Sequence, residues 1–287
     1  MKSATNTTRR TARLLTTTAL APAVRPGLGA ILLCGSALAA LALSSPGRAQ
    51  DRVIDGTDET VDGSGDGTTG TLDSPLTVNQ FLIVGEVGTG TLSITNGGSV
   101  SSFDGVLGVS AASSGTVTVD GAGSSWTITR DLFIGGLGSG TLSITNGGRV
   151  SNSRGTLGYR LGTSSTVTVD GVGSIWTNST ILRVGREGAG TLVISNGGSV
   201  SSIDARIGEF VGSNGTVTVD GAGSLWNAGM LRVGQQGVGT LAITSGGSVR
   251  EEKAGKKGRR YGTYCVVSNY HPLGSWHRSI ILDYGGF

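Results

Sequence analysis

The stretch "GTLSITNGGSVSS", residues 90–102, decides the fold because it returns as "GTLSITNGGRVSN" at 140–152 and "GTLVISNGGSVSS" at 190–202. A further copy begins at Gly239, one residue short of the 50-residue period. Within each period a weaker copy begins 25 residues later, as in "GTVTVDGAGSS" from Gly115. The true unit is therefore about 25 residues long, and a fixed period of this length is typical of solenoids.

Each unit predicts three short strands joined by turns. In "TLSIT" at 91–95 and "TVTVD" at 116–120, apolar residues alternate with Thr and Ser, as in a strand with one buried face. The turns "NGG" and "DGAG" follow, where glycine allows positive φ. A second strand carries Val100 or Trp126. A third has a variable middle residue between two aliphatic ones, and we expect this middle residue to face outward.

Stacking of these units explains how they fold. One unit buries too few apolar residues to offset the backbone entropy lost on ordering it. When units stack, each strand pairs with its equivalent in the next unit about 4.8 Å away, and the inward residues form one core. We therefore predict an all-β fold, a parallel β-helix or β-solenoid of about seven 25-residue coils over 76–249. We expect right-handed winding, as in other parallel β crossovers.

The first 49 residues predict a signal peptide. A basic segment ends at Arg25, the apolar run 28–43 follows, and "SSPGRAQ" offers small residues for cleavage between Ala49 and Gln50. The apolar run is shorter than the roughly 20 residues that span a bilayer. We therefore expect export to the periplasm, the cell surface or the medium, with residues 50–75 as a linker or lead-in.

The composition excludes several classes of protein. Residues 51–250 hold ten Arg and sixteen Asp or Glu without a basic stripe, which argues against nucleic acid as a partner. Cys34 and Cys265 are the only cysteines, so a disulfide framework is excluded. Residues 51–250 also contain no His, Cys or Lys, which removes most nucleophile and base arrangements. We expect no enzyme activity, no cofactor and no metal.

The repeat motifs resemble those of a known group of proteins. "GTLSITNGGSVSS", "GTVTVDGAGSSW" and "LFIGGLGSGTL" are similar to the repeat of autotransporter passenger regions and of some PEP-CTERM-associated surface proteins of Gram-negative bacteria. The resemblance covers about Leu76–Val249. It implies an exported β-helical passenger and, in a full-length relative, a C-terminal outer-membrane β-barrel. The tail 250–287 is too short to supply that barrel, so we interpret the chain as a passenger fragment.

The tail departs from the repeat within a coil. After Val249 the sequence changes to "REEKAGKKGRRYGTYCVVSNYHPLGSWHRSIILDYGGF". This segment is either a cap, or the product of a shifted reading frame that need not be ordered. We favour the shifted frame because a cap would be expected to complete the coil that it covers. Cys265, His271 and His277 match no closed zinc pattern.

Several recurring residues could have either a structural role or a role in binding or catalysis. Asp120, Asp170 and Asp220 occur once per period at a turn and predict turn capping. Asp104 and Asp204 alternate with Arg154, which predicts a solvated face. For Trp126, Trp176 and Trp226 we favour packing over sugar binding. "VDGSGDGTTG" at 61–70 is interpreted as a linker, since it departs from the nonapeptide calcium pattern.

Two functions remain after this comparison. The first is an adhesin or structural stalk that presents variable outward residues to a host surface, a matrix or a polysaccharide. Phe133, Arg183 and Arg232 are its candidate binding residues. The second is a β-helix polysaccharide lyase or hydrolase, since that fold also hosts such enzymes. An enzyme of that kind needs clustered carboxylates, whereas the acidic residues of this sequence are dispersed.

Overall fold

The computed structural model describes residues 51–56, 58–62, 71–72, 74–251, 259–261, 264–270 and 276–281. The predicted signal peptide with Ala49 and Gln50, and most of the 61–70 stretch, lie outside these residues. No α-helix long and apolar enough to cross a membrane occurs in the described ranges. Every element in those ranges is a strand: β1 (Arg52–Ile54), β2 (Asp58–Asp62), β3 (Thr71–Leu72), β4 (Leu76–Val84), β5 (Thr89–Thr95), β6 (Ser99–Leu107), β7 (Ser114–Asp120), β8 (Ser125–Ile128), β9 (Asp131–Ile134), β10 (Ser139–Thr145), β11 (Arg149–Leu157), β12 (Ser164–Asp170), β13 (Ile175–Val184), β14 (Ala189–Ser195), β15 (Ser199–Ile207), β16 (Asn214–Asp220), β17 (Leu225–Val233), β18 (Val238–Thr244), β19 (Ser248–Glu251), β20 (Arg259–Tyr261), β21 (Tyr264–Tyr270) and β22 (Trp276–Ile281).

The strands form two sheets with parallel pairing between successive coils. Sheet A runs from β1 through β4, β6, β8 with β9, β11, β13, β15 and β17 to β19, and sheet B runs from β2 through β5 to β18. Residues 25 apart are direct neighbours: Leu142 pairs with Val117 on one side and Val167 on the other. The predicted parallel β-solenoid of about seven 25-residue coils is therefore confirmed.

The number of strands per coil differs from the sequence expectation. The second and third predicted strands are continuous in most coils, as in the nine residues of β6 and the ten of β13. A register shift between Asn152 and Arg154 shows that β11 bends through an irregularity of the β-bulge type. Only the coil of β8 and β9 separates the two strands. Each coil thus has two sides, one in each sheet.

The core consists of columns, by which we mean residues at equivalent positions in successive coils. One column of sheet A alternates valine with tryptophan: Val100, Trp126, Val150, Trp176, Val200 and Trp226, all at most 1% exposed. A second column alternates small residues with leucine: Gly105, Leu132, Gly155, Leu182, Ala205 and Leu231. Each large indole therefore faces a small residue in the preceding coil, and this alternation of size produces the 50-residue period.

The chain turns from sheet B to sheet A at the Asn-Gly pairs of the repeat, and the geometry of these turns explains why the pair recurs. Asn96, Asn146 and Asn196 have φ of 51–52°, and each is followed by a glycine of positive φ. Two consecutive positive φ angles define a type I′ turn, for which Asn-Gly is the favoured pair. The amide of Gly98 donates to the carbonyl of Thr95 at 2.7 Å and closes this turn.

The two ends of the solenoid differ in how their strands pair. In sheet A, β1 pairs in parallel with Leu82–Val84 of β4, so stacking begins within the segment predicted as a lead-in. At the other end the tail changes direction. Strand β20 pairs antiparallel with β19, and β21 pairs antiparallel with β18.

Candidate functional site

The outer face of sheet A carries the residues singled out for surface binding. Phe133, Arg183 and Arg232 lie in one column, separated by Thr156 and Arg206. All three side chains are partly exposed on the side of the strand opposite the core. They are therefore outward, as their variability predicted, but neighbouring residues cover much of each side chain.

Aromatic and guanidinium groups pack together beside this column. The ring of Phe133 meets the ring of Tyr159 edge-on, with centroids 5.0 Å apart and planes at 74°. The guanidinium of Arg186 lies 4.5 Å from the centre of the Tyr159 ring and 5.2 Å from that of Phe210. Arg160 covers Tyr159 at 5.0 Å. Cation–π contacts of this kind hold the turns of three coils against each other.

A chain of ion pairs continues the surface toward the C-terminal coils. Nε of Arg183 lies 2.9 Å from Oε2 of Glu209 without making a well-aligned hydrogen bond. Arg206 joins Glu209 to Asp204, and Nη1 of Arg232 lies 2.5 Å from Oδ1 of Asp204. Burial lowers the pKa of Arg183, with partial compensation by Glu209. Burial also acts to lower the pKa of Arg206, but the hydrogen bonds to its two carboxylates raise it overall.

The corresponding part of the N-terminal coils is a network of buried carboxylates and half-exposed arginines. Asp104 is only 1% exposed, and its Oδ2 lies 2.6 Å from Nη2 of Arg130. Its Oδ1 accepts a 2.9 Å hydrogen bond from the amide of Asp131. Arg154 binds both carboxylate oxygens of Asp131. The hydrogen bonds that Arg130 donates to Asp104, and Arg154 to Asp131, raise the pKa of the two arginines. The predicted solvated face is therefore wrong for Asp104, which stacking places against Arg130 of the following coil, whereas the side chains of Arg154 and Asp204 are 48% and 23% exposed.

We name this part of sheet A and the turns beside it the arginine–aromatic surface. It comprises Phe133, Tyr159, Arg160, Arg183, Arg186, Arg206, Glu209, Phe210 and Arg232. Tyr159, Arg186 and Phe210 were not predicted, because they belong to turns between strands, and only residues within the strands were considered as outward positions. A signal was present in the sequence. The turns "GYRLG" and "GEFVG" carry aromatic residues where the equivalent "GVSAAS" has none.

The recurring aspartates and tryptophans have structural positions. Oδ1 of Asp120 accepts hydrogen bonds from the Thr145 hydroxyl and the Asn146 amide, both at 2.6 Å. Each aspartate of this type therefore holds the turn of the following coil as well as terminating its own strand. Trp126, Trp176 and Trp226 are fully buried, so they pack in the core. In the described residues, no group of three or more potential metal ligands occurs.

No protein-family model, no curated protein and no solved structure matches this chain. The architecture nevertheless defines its class as a parallel β-solenoid built from sequence repeats. Its outer face combines ion pairs with aromatic side chains.

Proposed function

We propose that this chain is an exported bacterial surface protein, a fragment of an autotransporter-like passenger that acts as an adhesin or structural stalk. The observation that carries the proposal is the contrast between core and surface. The core columns repeat with little change, whereas one outward column passes from Phe133 through Arg183 to Arg232. Such a scaffold keeps its shape while its surface diversifies.

The chemistry of the arginine–aromatic surface favours a polar partner of a host surface, a matrix or a polysaccharide. Arginine offers several donors in a fixed plane, and it suits carboxylate and sulfate groups. Tyr159 and Phe210 add apolar area next to those donors. From β5 to β18, sheet B presents mainly Thr and Ser outward, as in Thr141 and Ser143 of β10, and this described part of the sheet has no comparable cluster.

Binding assays on immobilised matrix proteins and polysaccharides test the adhesive role. We expect the complete chain to bind at least one such surface, and the variants Phe133→Ser and Arg232→Ser to bind it more weakly. Thr141→Ser, on the outer face of sheet B, is the matched control and should bind like the unmodified chain. Equal binding by all variants would remove the proposed surface from consideration.

Export is tested separately from binding. We expect cell fractionation to recover the chain outside the cytoplasm, with a mature N-terminus at Gln50. A chain that remains in the cytoplasm with residues 1–49 intact would contradict the export proposal, whatever its binding behaviour.

A polysaccharide lyase or hydrolase is the alternative function, since a β-helix is also compatible with that class. Two pairs of acidic residues come together, Asp104 with Asp131 and Asp204 with Glu209, and each pair is bridged by arginine. Arginine-bound carboxylates are poorly placed to accept a proton. Release of sugars from acidic polysaccharides, abolished by Asp104→Asn or Asp204→Asn, would establish the alternative.

A further inference from the structure

The C-terminal face of the solenoid is incomplete in sheet A. Strand β19 pairs only with Leu225–Ala228 of β17. Among the described residues, no strand pairs with the remaining part of β17, Met230–Val233, on this side. Leu231 and Val233 are consequently partly exposed, whereas their equivalents in the preceding tryptophan-containing coil, Leu182 and Val184, are fully buried.

The N-terminal face presents the strand that would complete this coil. Strand β1 occupies the same columns as Met230–Val233, because Arg52, Val53 and Ile54 pair with Leu82, Ile83 and Val84. Its other edge has no partner strand within the described ranges. Placed on β17 of another molecule, the three residues of β1 would lie over Leu231, Arg232 and Val233, which repeats the register of parallel strand pairing already present along the chain.

The charges of the two ends are complementary. Residues 51–62 contain five acids and one arginine, whereas residues 221–251 contain two arginines and one acid, Glu251. Opposite charges on facing surfaces favour association and become less effective as salt is added. Arg232 already interacts with Asp204, so this attraction supplements the pairing of strands.

Two features oppose such contact in the free chain. Strand β21 pairs with Val238–Ile243 of β18, and so occupies the edge of sheet B that a further coil would need. At the N-terminal end, Arg52 and Glu59 occupy the columns of Leu82 and Leu92. Their side chains form a 2.6 Å ion pair, and covering it would remove both charges from water. Charged residues at inward positions are a known protection of sheet edges.

We propose that the C-terminal face of the solenoid is a docking surface for the N-terminal coil of a second copy of this chain, and that in the free molecule the tail strands β20 and β21 occupy its β19 and β18 edges. Release of the tail then permits head-to-tail association with continued parallel pairing. Strand β1 of one copy extends sheet A of the next. The Arg52–Glu59 pair limits the strength of this contact.

The experiment compares the complete chain with a chain ending at Glu251, by sedimentation over a range of protein and salt concentrations. We expect the complete chain to be monomeric and the shortened chain to associate, less strongly at high salt. Adding Arg52→Leu and Glu59→Leu to the shortened chain should strengthen association by about tenfold, because apolar columns then continue across the contact. Arg52→Gln with Glu59→Gln is the matched control and should strengthen it less.

Cross-linking tests the geometry of the contact. In shortened chains with Cys34→Ser, a Val53→Cys variant mixed with an Arg232→Cys variant should form a disulfide, since paired strands place Cα atoms at a distance suitable for one. Neither variant alone should form this bond. A folded shortened chain that stays monomeric, or associates without this cross-link, would overturn the proposal.

A second variant, made in the complete chain, tests the proposal if the shortened chain does not fold. Val266→Pro with Val267→Pro, in the complete chain, removes backbone donors from β21 and should weaken its pairing with β18. Circular dichroism and cooperative unfolding report whether the solenoid remains. The same association is expected here, and loss of the fold in both variants would also contradict the proposal, because it treats the tail as a cover on an already folded solenoid.

Discussion

The indole of Trp126 fills the space directly over Gly105 of the preceding coil. A Cβ atom at residue 105 would lie 2.7 Å from Cζ2 of Trp126 and 3.0 Å from Cδ1 of Leu132. Both neighbours are fully buried, so neither has free space into which to move. The glycine is therefore required by the tryptophan, and the pair together generates the two-coil period.

Gly105→Ala should destabilise the solenoid by about 1–3 kcal/mol, because overpacking forces a buried side chain from its position. Chemical denaturation of the variant and the unmodified chain measures this. Ala205 is the natural control, since it occupies the same column beside Trp226. Ala205→Gly should change the free energy of unfolding by less than Gly105→Ala, and equal effects would argue against the steric explanation.

A buried amide ladder should be sensitive to loss of one member. Nε1 of Trp176 donates to Oδ1 of Asn152 at 2.7 Å, and Nδ2 of Asn152 donates to Oδ1 of Asn178 at 2.8 Å. Asn152→Leu leaves buried groups unpaired at a cost of roughly 1–3 kcal/mol each. Asn152→Ser should cost less, because Ser102 accepts from Trp126 at 3.1 Å in the equivalent place. Equal losses in the two variants would contradict this account.

The Asn-Gly corner predicts a difference between two substitutions at one residue. Asn146 has φ of 52° and donates to Asp120. Asn146→Ala loses the hydrogen bond and leaves in the left-handed region a residue without the short polar side chain that lets asparagine adopt it, at a cost of about 1–2 kcal/mol for the conformation alone. Asn146→Gly loses only the hydrogen bond. The unfolding temperature of Asn146→Ala should therefore be lower than that of Asn146→Gly. The reverse order would show that residue 146 does not require a left-handed conformation.

Stability should depend on pH through Asp220. Hydrogen bonds from Thr244 and Ser245 lower the pKa of Asp220 in the folded chain. The ionised carboxylate therefore stabilises the fold at neutral pH, and this contribution decreases as the pH falls below the ordinary aspartate value. It is lost once the pH passes below the folded-state pKa. Unfolding midpoints of Asp220→Asn and the unmodified chain should differ at neutral pH and converge in acid; a constant difference would show that ionisation is not involved.

The alternation of apolar and hydroxyl residues was sufficient to predict the solenoid, its period and its buried columns, because stacking simply repeats a local pattern. It did not predict that the strands carrying Val100 and Gly105 are continuous, since a bulge leaves no turn residue in the sequence. The interpretation of Asp104 as solvated was wrong for a related reason. Its partner Arg130 is 26 residues away, and only the stacking of coils brings the two charges together.

The candidate site was predicted in part. Variability identified the column of Phe133, Arg183 and Arg232, but variation alone does not show which turns approach that column. Tyr159 and Phe210 reach it from turns of different coils, and their contacts with Arg186 depend on the height of each coil in the stack. Binding by this surface and export of the chain stay predictions.

Distances between spin labels along one outward column of sheet B test the solenoid most directly. Ser93, Thr168, Thr218 and Ala242 lie in this column, and cysteine substitutions there carry the labels once Cys34 and Cys265 are replaced by serine. From Ser93, the account predicts separations that increase linearly by about 4.8 Å per coil, to roughly 14 Å at Thr168 and 29 Å at Ala242. Separations that do not increase with the number of coils would contradict parallel stacking at 25-residue intervals.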